Sequence, residues 1–204
     1  MPDTRGEITR KRILEAAGRL IKKKGLGATS IAELTKEAGV ERGSLYFHFT
    51  SKDDLGLALM ENTRAGFMEF LEDSLRGRTP GARLESFLRS VYRVHDEAGF
   101  VGGCVFGNTA LELADTDPNY AGLVSRLFDD WAGRLSPVIR EGQAAGEVSS
   151  ALPARTLAVH MVSALEGGIM QARVKKDGRA LKETLRCLRT LLGLTGPGST
   201  RRRR

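Results

Sequence analysis

Between Gly25 and Asp54 the chain crowds two helix-start signatures and several helix-stopping glycines into one short stretch, and this crowding admits only brief helices joined by tight turns. Ser30-x-x-Glu33 has the spacing of a capping box, in which the hydroxyl and the carboxylate each satisfy an amide that the first helical turn leaves unpaired. Gly39 is a left-handed stop for the helix that begins there. Arg42 to Phe49 predicts another short helix, and Ser51-x-x-Asp54 a second capped start. Upstream, Ile13, Ala17, Leu20 and Ile21 predict a first helix from about Thr9 to Lys24, closed by Gly25 and Gly27. Two short helices separated by Gly39-Val40-Glu41 form a helix-turn-helix pattern, with Leu34, Ala38, Val40, Leu45 and Phe49 available to seat the pair on the first helix.

The remaining spacing is also helical, so the expected fold class is all-α. A long helix is predicted over about 52–76, followed by the turn Thr79-Pro80-Gly81. Leu84, Phe87, Leu88, Val91, Tyr92 and His95 keep one face for three turns. After the glycine-rich stretch 99–103, helices are predicted at about 104–115, at 119–145 with Pro137 bending or splitting it, at 154–175 and at 179–193. The chain therefore reads as a basic head of about 50 residues on a larger helical body, ending in a disordered basic tail. In a chain of 204 residues, 41% hydrophobic and 28% charged residues suit a globular protein and exclude a disordered one. No apolar run is long enough to span a bilayer, and the polar start lacks a secretory pattern, so a cytoplasmic protein without a membrane partner is expected. Cys104 and Cys187 are too far apart in sequence for a metal or redox pair, and neither a metal nor a cofactor is implied.

The net charge of +7 is unevenly spread: residues 9–52 hold ten basic side chains against four acidic ones, and Arg201 to Arg204 are all basic. A basic segment carrying a helix-turn-helix pattern points to double-stranded DNA. The second helix of such a pair enters the major groove and its N-terminal residues face base edges. Arg42 can pair with guanine in two-pronged fashion, Ser44 can donate to a base or phosphate, and Gly43 permits close backbone approach. Thr29 and Ser30 offer hydroxyls and amides to phosphate at a helix start. Tyr46, His48 and Lys52 add contacts to the DNA backbone. Adjacent Tyr46 and Phe47 cannot both enter a core, so one of them is expected to be exposed.

The stretch from Thr29 to Leu55, with Gly39, Gly43, Tyr46, His48, Phe49 and Lys52 in place, resembles the DNA-binding domain of TetR-family transcriptional regulators. The resemblance implies a homodimeric repressor with a three-helix head and a helical body that binds ligand and dimerises. It places DNA contacts on Thr29, Ser30, Arg42, Gly43, Ser44, Tyr46, His48 and Lys52. Glu41 departs from the family's small capping residue. The implied division is a DNA-binding domain at 1–51, a regulatory domain at 52–195 and a tail at 196–204. The implied function is release from a palindromic operator by an unidentified small-molecule effector. Residues 103–114 further resemble the start of the sixth helix in a subset of the family that includes regulators of efflux and electrophile detoxification.

An effector pocket in the body would draw on Phe67, Tyr92, His95, Phe100, Cys104, Phe106, Asn108, Glu112, Trp131, Met161, Glu166 and Met170, although aromatic side chains at helical spacing also serve as plain core. Leu181, Leu185, Leu188 and Leu192, with Ala164, Gly167 and Gly168 on the preceding helix, predict a dimer interface; the alternative buries the leucines within one chain. Cys104 near a helix start suggests a thiol that senses electrophiles, with Cys187 as an inert control. An enzyme pairing Cys104 with His95 or His160 lacks an orienting third residue. An RNA-binding module lacks aromatic residues on strands.

Overall fold

A computed structural model describes residues 4–194, and all regular structure among the described residues is helical. The helices are α1 (Arg5–Lys24), α2 (Ile31–Ala38), α3 (Arg42–His48), α4 (Lys52–Ser74), α5 (Pro80–Glu97), α6 (Val105–Leu113), α7 (Pro118–Ala144), α8 (Ala154–Lys175) and α9 (Arg179–Leu192). The expected tail at 196–204 lies outside the described residues.

Helix α1 starts earlier than its apolar spacing predicts because Thr4 and Glu7 form a complete capping box. Both side chains are exposed, so hydrophobic periodicity carries no trace of that first turn. Of the two expectations for Pro137, splitting is the one corrected, because α7 runs unbroken through it. A proline within a helix frees the carbonyl four residues back. Here that residue is Gly133, an exposed position where water can take the bond.

Among the described residues the helices form two compact units, one of 4–67 with 104–125, the other of 68–103 with 126–194. Helix α6 and the start of α7 group with the head in the first unit. In the first unit Ile13, Ala17, Leu34, Leu45, Phe49 and Leu55 are buried together with Phe106 and Tyr120. The Tyr120 hydroxyl donates to the Asp53 carbonyl at 3.2 Å. Burial, then the charges of Asp53, Asp117 and Glu112, push its ionisation well above the ordinary phenol range, so it stays protonated as a donor. Gly56 gives it room, because a Cβ there would overlap the hydroxyl.

In the second unit Leu84, Phe87, Leu88, Trp131, Leu157 and Met161 are buried. The α9 leucines join them: Leu181, Leu185, Leu188 and Leu192 are 0–2% exposed within the single chain. This corrects the expectation that they form a dimer surface, because one apolar stripe on a helix is buried once and here it faces the unit's own core. Gly168 is likewise internal, with Thr184 of α9 only 2.6 Å from where its Cβ would stand. Arg189 of α9 grips Glu85 of α5 with two bonds of 2.8 and 2.9 Å.

Candidate nucleic-acid interface

The head is a small core with two differently finished helices on it. Leu34 and Ala38 of α2, and Leu45 and Phe49 around α3, are at most 7% exposed, as the helix-turn-helix pattern requires. Gly39 ends α2 in the left-handed region, at φ 62°. The Arg12 guanidinium reaches from α1 and donates to the Ala38 and Gly39 carbonyls at 3.0 and 2.9 Å. A cation on the last carbonyls both satisfies them and opposes the helix dipole.

At the other end of α2, Ser30 and Glu33 form the expected capping box. Lys24 joins it at 2.6 Å from the Glu33 carboxylate. The Lys24 ammonium, followed by the Ser30 amide and hydroxyl, lowers the Glu33 carboxyl from its ordinary 4.5 to about 2. Thr29 is only 1% exposed, and its hydroxyl donates inward to the Gly25 carbonyl at 2.7 Å. This corrects the expectation that Thr29 offers its hydroxyl to phosphate. Lys52 is half-buried and its ammonium donates to the Gly27 and Thr29 carbonyls, both at 3.1 Å. It acts as a clamp on the loop between α1 and α2.

Helix α3 is finished differently. Its N-cap, Glu41, makes no capping bond with its side chain. Arg42 and Gly43 are exposed, and nothing lies within 4 Å of where a Gly43 Cβ would stand. The Arg42 guanidinium lies 5.5 Å from the Tyr46 ring centre, a stacking that holds its fork without closing it. Ser44 and His48 are half-buried. Tyr46 and Phe47 are both outside the core, at 41% and 84% exposure, where the sequence required only one to be. The Phe47 ring meets His48 edge-on at 5.1 Å. The residue pattern left open which of the two aromatic rings would be exposed, and Phe47 is the more exposed.

The expected pocket residues fall in both units. Phe67 and Phe106 meet edge-on at 5.9 Å in the first unit. In the second, Tyr92 and Phe100 lie 5.9 Å apart, and Trp131 packs against Phe87 at 6.4 Å. Met161 is fully buried core, whereas Met170 is 49% exposed on the surface of α8, which corrects its assignment as a pocket wall. Glu112 is also corrected: its carboxylate accepts from the Leu26 and Gly27 amides at 3.2 and 2.6 Å in the head. Cys104 is the N-cap of α6 and half-buried. Among the described residues no group of acidic, histidine and cysteine side chains is arranged to hold a metal ion, and no helix is long and apolar enough to cross a membrane.

Comparison with known proteins accords with this geometry. Residues 13–59 match the model of the bacterial regulatory proteins of the tetR family, and residues 80–188 match the tetracyclin repressor-like C-terminal domain. The chain is 28% identical to the transcriptional regulator AcuR of Cereibacter sphaeroides over 170 residues, which covers 82% of this chain and 78% of AcuR. It is 22% identical to the transcriptional repressor DhaR of Mycobacterium sp. strain GP1, with 86% and 88% covered. The crystal structure of a TetR regulatory protein from Rhodobacter sphaeroides superposes with a TM-score of 0.85 at 27% identity, covering 91% of this chain and 99% of that one.

Proposed function

This chain belongs to the TetR family of DNA-binding transcriptional regulators, and from that premise we propose that it is a homodimeric repressor released from a palindromic operator by a small molecule. The observation that carries the DNA contacts is the bare outer side of α3, where Arg42, Gly43, Tyr46 and Phe47 are exposed while Leu45 fixes the helix from below. Arg42 reads a base in the major groove, with Gly43, Ser44, Tyr46 and His48 around it. Ser30 presents the start of α2 to phosphate. Lys52 contributes by holding the loop before α2, with one of its three donors left for phosphate. The repressor sense takes its support from DhaR.

Dimerisation uses the outward sides of α8 and α9. His160, Ala164, Gly167, Gln171, Cys187 and Leu191 line a groove of about 620 Å³ between these helices. Val159, Met170 and Val174 stand 45–76% exposed along α8. Apolar side chains in such a row suit a self-complementary two-fold contact, on the order of 2,000 Å² for an obligate dimer. Two heads would then read half-sites about 34–36 Å apart. Light scattering at micromolar concentration tests this directly: a monomer refutes it.

Effector and DNA are linked reciprocally, typically by about 1–3 kcal/mol, so each weakens the other's binding by the same factor. Calorimetry that finds independent binding refutes the linkage. A thiol-responsive version draws support from Cys104 as the half-buried N-cap of α6, where helix amides favour a thiolate. Cys187 is exposed in the single chain and lines the α8–α9 groove, so alkylation of Cys104 is read in a Cys187→Ser background. Electrophoretic shift with the duplex upstream of the chain's own coding sequence, against random duplex at controlled salt, tests the whole reading. Equal affinity for the two duplexes overturns it.

A further inference from the structure

The loop that joins α1 to α2 is held from both sides by charges from other helices. Its Leu26 and Gly27 amides point at one carboxylate, Glu112 of α6, at 3.2 and 2.6 Å. Its Gly27 and Thr29 carbonyls point at one ammonium, Lys52 of α4. Between these grips Leu26 is 5% exposed and pins the loop to the core. The composition of the loop follows from the approach of Glu112. A Cβ at Gly25 would stand 2.6 Å from one carboxylate oxygen, and a Cβ at Gly27 would stand 3.1 Å from the other. Gly25 also has φ 87°, so it has two reasons to be glycine, whereas Gly27 lacks a positive φ and is glycine-like only through Glu112.

Glu112 sits in the last turn of α6, and α6 is fixed on α4 one turn earlier by the Thr109 hydroxyl at 3.6 Å from the Met60 sulfur and by the Phe106 ring against Phe67. The carboxylate is thus presented by a seated helix. The loop it grips runs directly into Ser30, the N-cap of α2. We infer that Glu112 is a positioning residue for DNA binding: its carboxylate sets the α1–α2 loop, and so the placement of the start of α2, from a helix remote in sequence. The inference rests on the DNA-binding reading above and adds to it a residue that touches no DNA.

Amide exchange and DNA affinity, measured together on the full chain, test it. Glu112→Ala should speed hydrogen exchange at Leu26 and Gly27 and weaken binding to the upstream duplex by about tenfold, since charge-assisted bonds to two amides are lost. Glu112→Gln, which keeps the shape and one acceptor, should fall between it and the wild type. Both variants should still unfold cooperatively, with midpoints well above the temperature of the binding assay, which separates positioning from loss of the folded head. Gly27→Ala supplies the decisive cycle: it should weaken DNA binding in the native background, and by less than about twofold more in Glu112→Ala, where the space is empty. An unchanged exchange rate at both amides, or a Gly27→Ala effect of the same size in both backgrounds, overturns the role of Glu112. If the wild type binds neither the upstream nor a random duplex, the DNA-binding reading itself fails.

Discussion

Helices α2 and α3 are separated by Gly39, Val40 and Glu41 and are finished on opposite plans. Every end of α2 is tied down: Ser30, Glu33 and Lys24 at its start, Arg12 at its last carbonyls, and Arg19 on Glu37 at 2.8 Å along its side. Helix α3 has no side-chain cap, one buried residue and an outer side left to solvent. A polar group bonded inside the protein has fewer donors and acceptors left to read bases, so α2 is chiefly the frame and α3 the reader. The same contrast revises the meaning of the head's charge. Arg10 lies over the Phe49 ring at 5.1 Å, and Arg12, Arg19, Lys24 and Lys52 are all engaged within the head. Much of the basic character of residues 9–52 therefore assembles the helices.

The harshest way to break this contrast is Leu45→Ala, which removes the one buried side chain of α3. Truncating a fully buried leucine should cost about 2–5 kcal/mol in denaturant unfolding. A loss below about 1 kcal/mol would mean that α3 is seated by something else. Next comes Arg42→Ala, expected to cost about 1–3 kcal/mol on the specific duplex and to relax a single base position, with stability unchanged. Equal losses on specific and random duplexes would remove Arg42 as a base reader. On the frame side, Ser30→Ala should lower stability by about 1 kcal/mol through the lost cap.

The Glu33 carboxyl sharpens the comparison through pH. Its folded value, about 2, lies below the ordinary 4.5, so its stabilising effect is present above about pH 4.5 and fades as pH falls toward 2. Glu33→Gln should flatten the fall in thermal midpoint across that window, and an unchanged slope would show that the box contributes nothing. The smallest effect is expected for Phe47→Ala, within about 0.5 kcal/mol in stability for a side chain 84% exposed.

Local chemistry was legible in the sequence, and distant chemistry was not. The Ser30–Glu33 box, the Gly39 stop and the extents of α2, α3, α8 and α9 follow from spacing a reader can see along the chain. The Thr4–Glu7 box has the same spacing, yet it lies ahead of the first apolar residues and periodicity passes over it. The leucine stripe of α9 was visible as a stripe, but a one-dimensional pattern shows that a face is apolar and leaves open which partner covers it. Thr29, Lys52 and Glu112 have side chains suited to a ligand, and their roles turned inward because the α1–α2 loop needed acceptors and donors. That need arises from residues far away in sequence, 85 positions in the case of Gly27 and Glu112.

Gly56 and Tyr120 have a bearing on how such a head changes over generations. A methyl at position 56 would overlap the Tyr120 hydroxyl and come within 2.9 Å of Leu26, so the glycine is locked by a residue 64 positions later in the chain. Tyr120→Phe, by contrast, removes one hydrogen bond and leaves Gly56 comfortable. The permissible route to a better helix former at 56 is therefore ordered: the phenol must go first, and only then can alanine enter, with Leu26 yielding a few tenths of an ångström. Lineages that keep the tyrosine are held to the glycine, and a library that randomises position 56 alone should return little else.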